Sequence, residues 1–136
     1  MLASNSMFSV MSKESSIYDD KTGQRYNFPR HIPNGRKIDV GSVLIVINSK
    51  KEARKNGKSG RILGLCQVGV VEEYSFKGRE FANAFFDWWI EFEQPVSFEA
   101  CGGDWRNNIQ NAINSVPERK KVQVLLGLMK AYSNEQ

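Results

Sequence analysis

Three stretches of the chain carry apolar patterns that read as strands. Residues 42–48 (SVLIVIN) form a β-branched, continuously apolar run, the pattern of a central strand covered on both faces. Residues 61–74 (RILGLCQVGVVEEY) make a longer strand, in which Gly64 and Gly69 predict a bulge or sharp bend that curls the sheet. Residues 81–93 (FANAFFDWWIEFE) alternate. Phe86, Trp88, Ile90 and Phe92 fall on one face, and Asp87, Trp89, Glu91 and Glu93 on the other. That period of two predicts a strand with one buried face. Pro95 and residues 96–98 follow as an edge strand. Shorter extended pieces lie at residues 17–20 and 25–28, the latter because Pro29 biases its predecessor away from helix. Turn signals stand at residues 21–24, 32–35 and Gly78. Residues 49–60 (SKKEARKNGKSG) are polar and basic, and read as a loop.

Towards the C-terminus the period changes. Asp104 is placed to cap a helix carrying Trp105, Ile109, Ala112, Ile113 and Val116 on one side. Ser115 and Glu118 have capping-box spacing for a second helix, with Pro117 in its first turn. Val122, Leu125, Leu126 and Met129 give that helix a core-facing stripe, and it runs out near Tyr132. Residues 1–16 are Ser-rich and read as a flexible arm. Residues 17–136 then form a single α+β domain ending in two helices. Curved strands with flanking helices predict a partly closed β-barrel.

Composition agrees with one ordinary globular unit: 136 residues, 40% apolar and 25% charged. The longest apolar run, residues 43–47, is far too short to span a bilayer, and the first residues lack the basic start and sustained apolar core of a signal peptide. The expectation is a cytoplasmic protein without membrane attachment. Cys66 and Cys101 have no pairing signal and read as free thiols. A net charge of +4 is compatible with an anionic partner.

Catalytic motifs are sparse: His31 alone would suffice for a Ser–His–Asp or Cys–His set, but no nucleophile-elbow context supports one. His31 is the sole histidine, which rules out a helical zinc-protease pair or a two-histidine nuclease centre within this chain. Two isolated cysteines and one histidine lack zinc spacing. Gly57, Gly60 and Gly64 run from loop into strand, so the dinucleotide-binding reading fails. No enzyme activity, cofactor or metal is expected.

Two features remain. Lys50, Lys51, Arg54, Lys55, Lys58 and Arg61 face a single acid, Glu52. They are either a solvated loop or a finger that contacts backbone phosphates. Residues 18–30 (YDDKTGQRYNFPR) crowd aromatics, acids and turn residues into a short span. Asp19 and Asp20 either cap the turn or accept the exocyclic amine of a base turned out of its helix. Tyr18, Tyr26 and Phe28, with Trp89 as a wall, are candidate stacking surfaces.

The run Tyr18-Asp19-Asp20, Gly23, Tyr26 and Phe28-Pro29, then Val40-Gly41 before an apolar strand, then GLCQVGVV and Gln94-Pro95-Val96, resembles the PUA-like superfamily. Within it, the resemblance is to EVE-type domains at the front of modification-dependent HNH restriction endonucleases. It covers residues 18–98. It implies a PUA-like barrel that binds DNA and flips a methylated or hydroxymethylated cytosine into an aromatic pocket. Carried onto this chain, that pocket draws on Tyr18, Asp20, Tyr26, Phe28 and Trp89. The chain departs from the pattern at Ile47-Asn48, where a tyrosine usually stands, and no HNH nuclease follows. The expected partner is nucleic acid, DNA preferred over RNA, with a homodimer or an attached nuclease domain as further options. The alternatives are an RNA-binding PUA-like module and a protein-interaction domain with no nucleic-acid ligand.

Overall fold

The computed structural model describes residues 5–12, 24–55, 57 and 60–135. The side chain of Lys55 lies outside that description, as do Tyr18, Asp19, Asp20 and Lys58. Among the described residues, β1 (Met7–Ser12), β2 (Arg25–Pro29), β3 (Val43–Asn48), β4 (Ile62–Phe76), β5 (Arg79–Val96) and β6 (Ile113–Ser115) form one sheet. The order is β2-β5-β4-β3-β1-β6. The β1–β3 pair is parallel, and the other pairs are antiparallel. Helix α1 (Lys50–Lys55) follows β3, and α2 (Lys121–Asn134) closes the chain. The domain is thus mixed α+β, a curled six-stranded half-barrel with one C-terminal helix among the described residues.

The middle of the sheet is buried on both faces, and β3 explains why. Val43, Ile45 and Ile47 point into one core, Leu44 and Val46 into the other. The first core gathers Phe92, Val96, Phe98, Trp105 and the inner face of α2. The second gathers Phe8, Val10, Tyr26, Phe28, Ile38 and Cys66 inside the curl. The continuous apolar run of β3 therefore forms the predicted two-sided strand.

Curvature arises where Gly64 and Gly69 predicted it. The β4–β5 register shifts between Ile62 and Gly64, and on either side of Val68. Gly69 and Asp87 are the extra residues of the second irregularity, one on each strand: Val68 pairs with Phe86, but Val70 with Phe85 and Gln67 with Trp88. This flips the alternation of β5. Phe86 packs with the second core and Trp88 with the first, so the single buried face expected for Phe86, Trp88, Ile90 and Phe92 is corrected. Gly64 is also where the Trp89 ring crosses β4. A Cβ there would meet that ring and come 2.6 Å from the Ile90 carbonyl. Gly64→Ala should cost about 1–3 kcal/mol, read as a lower urea midpoint with a shifted tryptophan emission.

Three further expectations change. Residues 1–16, read as an arm, contain β1. MFSVMS is short, but it pairs in register with β3 from Met7↔Val43 to Ser12↔Asn48. Residues 49–60, read as a loop, contain α1, whose Ser49 hydroxyl caps the Glu52 N–H at 3.1 Å. Of the two expected C-terminal helices, the first does not form. Asparagines there hydrogen-bond locally instead: Gln110 N–H to Asn108 Oδ1 (2.9 Å), Asn108 N–H to Asn114 Oδ1 (3.2 Å) and Asn114 Nδ2–H to the Asn111 carbonyl (3.1 Å). Such side chains compete with the helical ladder. Ile113 then enters β6, beside β1.

The second helix starts later than expected, after a 3₁₀ turn at Glu118–Lys120. It is also rotated. Lys121, Val124, Leu125 and Leu128 are buried, while Val122, Leu126 and Met129 are exposed. Gly127 sets this face. A Cβ there would strike the Ala100 carbonyl and sit 2.9 Å from the Cys101 Cα, so only glycine lets the helix lie so close. Among the described residues, no helix is long and apolar enough to cross a membrane.

Candidate functional site

Among the described residues, a cluster of charged side chains forms where α1, the start of β4 and the segment after β5 meet. Each part is held by local chemistry. After Val96, Ser97 caps a 3₁₀ turn at Phe98–Cys101 by accepting the Ala100 N–H at 3.3 Å. Gly102 and Gly103 follow with φ of 89° and 106°. These left-handed values suit glycine and reverse the chain. The reversal lays Trp105 edge-on against Phe98, ring centroids 5.2 Å apart. Its indole N–H donates to Ser9 Oγ at 3.2 Å. Asp104 and Arg106 are thereby fixed on either side of an anchored tryptophan.

Arg106 and Asp104 form a fork. Arg106 Nη2 donates to Asp104 Oδ2 at 2.8 Å and Nε to Oδ1 at 3.0 Å. The Arg106 side chain is only 4% exposed, and its guanidinium lies 4.8 Å from the Phe98 ring centre. Arg61 approaches the same ring, at 5.6 Å. It is positioned by Nε donating to the Asn48 carbonyl at 3.0 Å and by pairing of its backbone with Val96. Two guanidiniums thus share one aromatic ring. Lys50 and Arg54, one turn apart on α1, complete the lining with Ala53 and Ile109 of a concavity of about 420 Å³.

The charges do not cancel. Lys50, Arg54, Arg61 and Arg106 face one carboxylate, Asp104. Among the described residues, Lys50 and Arg54 have no ion-pair partner, and the two Nη groups of Arg61 have no hydrogen-bond acceptor. The crowding is felt at Arg61, whose pKa is lowered first by burial and then by the like charge of Arg106, with Asp104 opposing. At Asp104 burial favours the neutral acid. The hydrogen bonds and charge of Arg106, with Arg61 further off, prevail and hold the carboxyl below its usual range. A carboxyl depressed in this way stabilises the fold above its unfolded pKa, and that share is lost as the pH falls through the lower folded value. The stability advantage of the parent over Asp104→Asn should therefore shrink from about pH 4 downward, as urea titrations across that range will read.

The sequence-predicted residues separate into groups. Lys50, Arg54 and Arg61 come together at this site. Lys51 is exposed on α1 and does not line the concavity. Lys55 ends α1, with its side chain outside the described residues, and Lys58 lies outside them altogether. Of the expected base pocket, Tyr18 and Asp20 fall outside the described residues. Tyr26 and Phe28 do meet, stacked 5.3 Å apart, but inside the second core, 5% and 0% exposed. Neither ring presents an open face there. Arg30 packs over Phe28 and donates to the Gly35 and Ile38 carbonyls and to Glu73, fixing the turn that covers them. Trp89 is half-buried and stacked on Phe86 at 5.8 Å.

Sequence reasoning does not single out Phe98 or Arg106, and it presents Asp104 only as a helix cap. The signal for them is the Gly102-Gly103 pair directly before an acid, a tryptophan and an arginine. Both cysteines are buried and free. Burial pushes the Cys101 thiol up to about 11 and the Cys66 thiol further, so neither is a nucleophile near neutrality. Among the described residues, no three His, Cys, Asp or Glu side chains gather as metal ligands would. No protein-family model, no curated protein and no solved structure matches this chain.

Proposed function

We propose that this domain binds nucleic acid, DNA in preference to RNA, with a backbone or terminal phosphate seated among Lys50, Arg54, Arg61 and Arg106. The observation that carries this reading is the surplus of cations over carboxylates in one concavity, with the Arg61 fork left open. Guanidiniums match phosphate oxygens in pairs, and lysines add charge without sequence preference. The finer form is a PUA-like barrel reading a modified cytosine with Tyr18, Asp20 and Trp89. It rests on the resemblance in residues 18–98 and on the partial exposure of Trp89. Tyr26 and Phe28 then act as the packed support of that region rather than as its stacking walls.

Fluorescence anisotropy with matched DNA duplexes, with and without 5-methylcytosine, and with the corresponding RNA, tests both levels. Binding that is tighter for DNA and falls steeply with salt is expected, with the modified duplex preferred. Equal weak binding to modified and plain DNA removes the reader claim. Absence of binding to any of them at low salt removes the nucleic-acid claim.

A second reading is a homodimer through α2, favoured by the exposed stripe of Val122, Leu126, Met129 and Tyr132. Sedimentation separates it from the first: a dimer without nucleic-acid affinity supports the second reading, and a monomer contradicts it.

A further inference from the structure

We infer that the concavity between α1, Arg61 and Arg106 is a seat for a phosphomonoester, the terminal phosphate of a nucleic-acid strand or of a mononucleotide, rather than for a diester in mid-chain. This rests on the phosphate reading of the same site. Charge is the first argument. Four cations against one carboxylate leave a surplus that one diester, with a single negative charge, does not balance. A monoester carries about −1.5 to −2 at neutral pH, offsets more of that surplus than a diester does, and presents three acceptor oxygens.

Shape is the second argument. The site is a concavity of about 420 Å³ rather than a flat track. Part of its lining is the Arg106 side chain, 4% exposed and lying over Phe98. A diester in mid-chain needs an exit on both sides, whereas a concavity lined by a buried guanidinium suits a group on which the chain ends. Donor geometry is the third. Arg106 is already committed to Asp104 through Nε and Nη2. Arg61 donates a hydrogen bond only through Nε, leaving both Nη groups for oxygen atoms of the ligand. Asp104 and Arg106 are therefore positioning residues, and Arg61 is the direct grip, with Lys50 and Arg54 closing over the outer oxygens from α1. Ile109, exposed and lining the same wall, offers an apolar surface for the sugar next to the phosphate.

The test compares oligodeoxynucleotides of one sequence bearing a 5′-phosphate or a 5′-hydroxyl. It is run with the full chain, with Arg61→Ala and with Arg61→Lys, and with a nucleoside 5′-monophosphate as competitor. The phosphorylated strand should bind at least about tenfold tighter. Arg61→Ala should abolish that preference, and Arg61→Lys should restore only part of it, since an ammonium lacks the fork. The mononucleotide should displace the phosphorylated strand. If it binds as tightly as the strand, the natural ligand is a free nucleotide; if more weakly, a strand end. Equal affinity for both strands, with Arg61→Ala weakening both alike, overturns the monoester seat and leaves nucleic-acid binding intact. No affinity for either strand or for the mononucleotide overturns both.

Discussion

Trp105→Ala should lower the unfolding free energy by about 3–5 kcal/mol, the largest single-residue loss expected here. Trp105 is 3% exposed and wedges between Phe98 and the strand β1. Its removal leaves a cavity at the junction of the sheet and the 3₁₀ turn. It also leaves the buried Ser9 hydroxyl with only a long bond to the Asn114 carbonyl, 3.5 Å. Against a total stability of about 5–15 kcal/mol, that loss brings the domain close to unfolding. Urea titration checks the magnitude. Trp105→Phe keeps the ring against Phe98 and should give up far less. If both variants cost the same, the indole hydrogen bond rather than the packing carries the position.

The second large effect is on binding. Arg61→Ala should weaken affinity for a 5′-phosphorylated DNA duplex about tenfold or more, with little change in far-ultraviolet circular dichroism. Arg61 touches the scaffold through its Nε bond to the Asn48 carbonyl and its stacking on Phe98. Both interactions lie at the rim of the first core, so the fold survives without them. Lys51→Ala, on the same helix but outside the concavity, should weaken binding far less. Equal losses at Lys51 and Arg61 would mean that diffuse charge, not the concavity, attracts the ligand.

The strands are legible because their physics is local. The two-sided burial of β3 is written in five successive apolar residues, and the bends of β4 in two glycines inside an apolar run. The failures share a cause as well. Trp105, Ile109, Ala112, Ile113 and Val116 have helical spacing, but asparagine side chains take the bonds the helix would need. Val122 and Met129 look like a core stripe until Gly127 docks the helix on Ala100 and turns them outward. In β5 a one-residue irregularity sends Phe86 and Trp88 to opposite cores, which no alternation rule anticipates.

The site is half legible. The basic composition of residues 50–61 points to it, but composition does not say that Lys50, Arg54 and Arg61 converge while Lys51 does not. The other half comes from residues 98–106, far along the chain. Asp104 and Arg106 join the site after a glycine pair that reverses the backbone and lays Arg106 over Phe98. Residues 24–30 show the opposite case. Tyr26 and Phe28 have the composition of a binding surface and the burial of a core. An aromatic ring serves either role, and only the packing around it decides.

The central claim is that the cations of this concavity neutralise nucleic-acid phosphates. The most direct measurement is the slope of log affinity against log salt for one 5′-phosphorylated duplex, with the parent chain and with an Arg54→Ala, Arg61→Ala double variant. The parent slope should be negative, and the double variant should be shallower by about 0.9 for each phosphate that is no longer neutralised. An unchanged slope in the double variant would contradict the account.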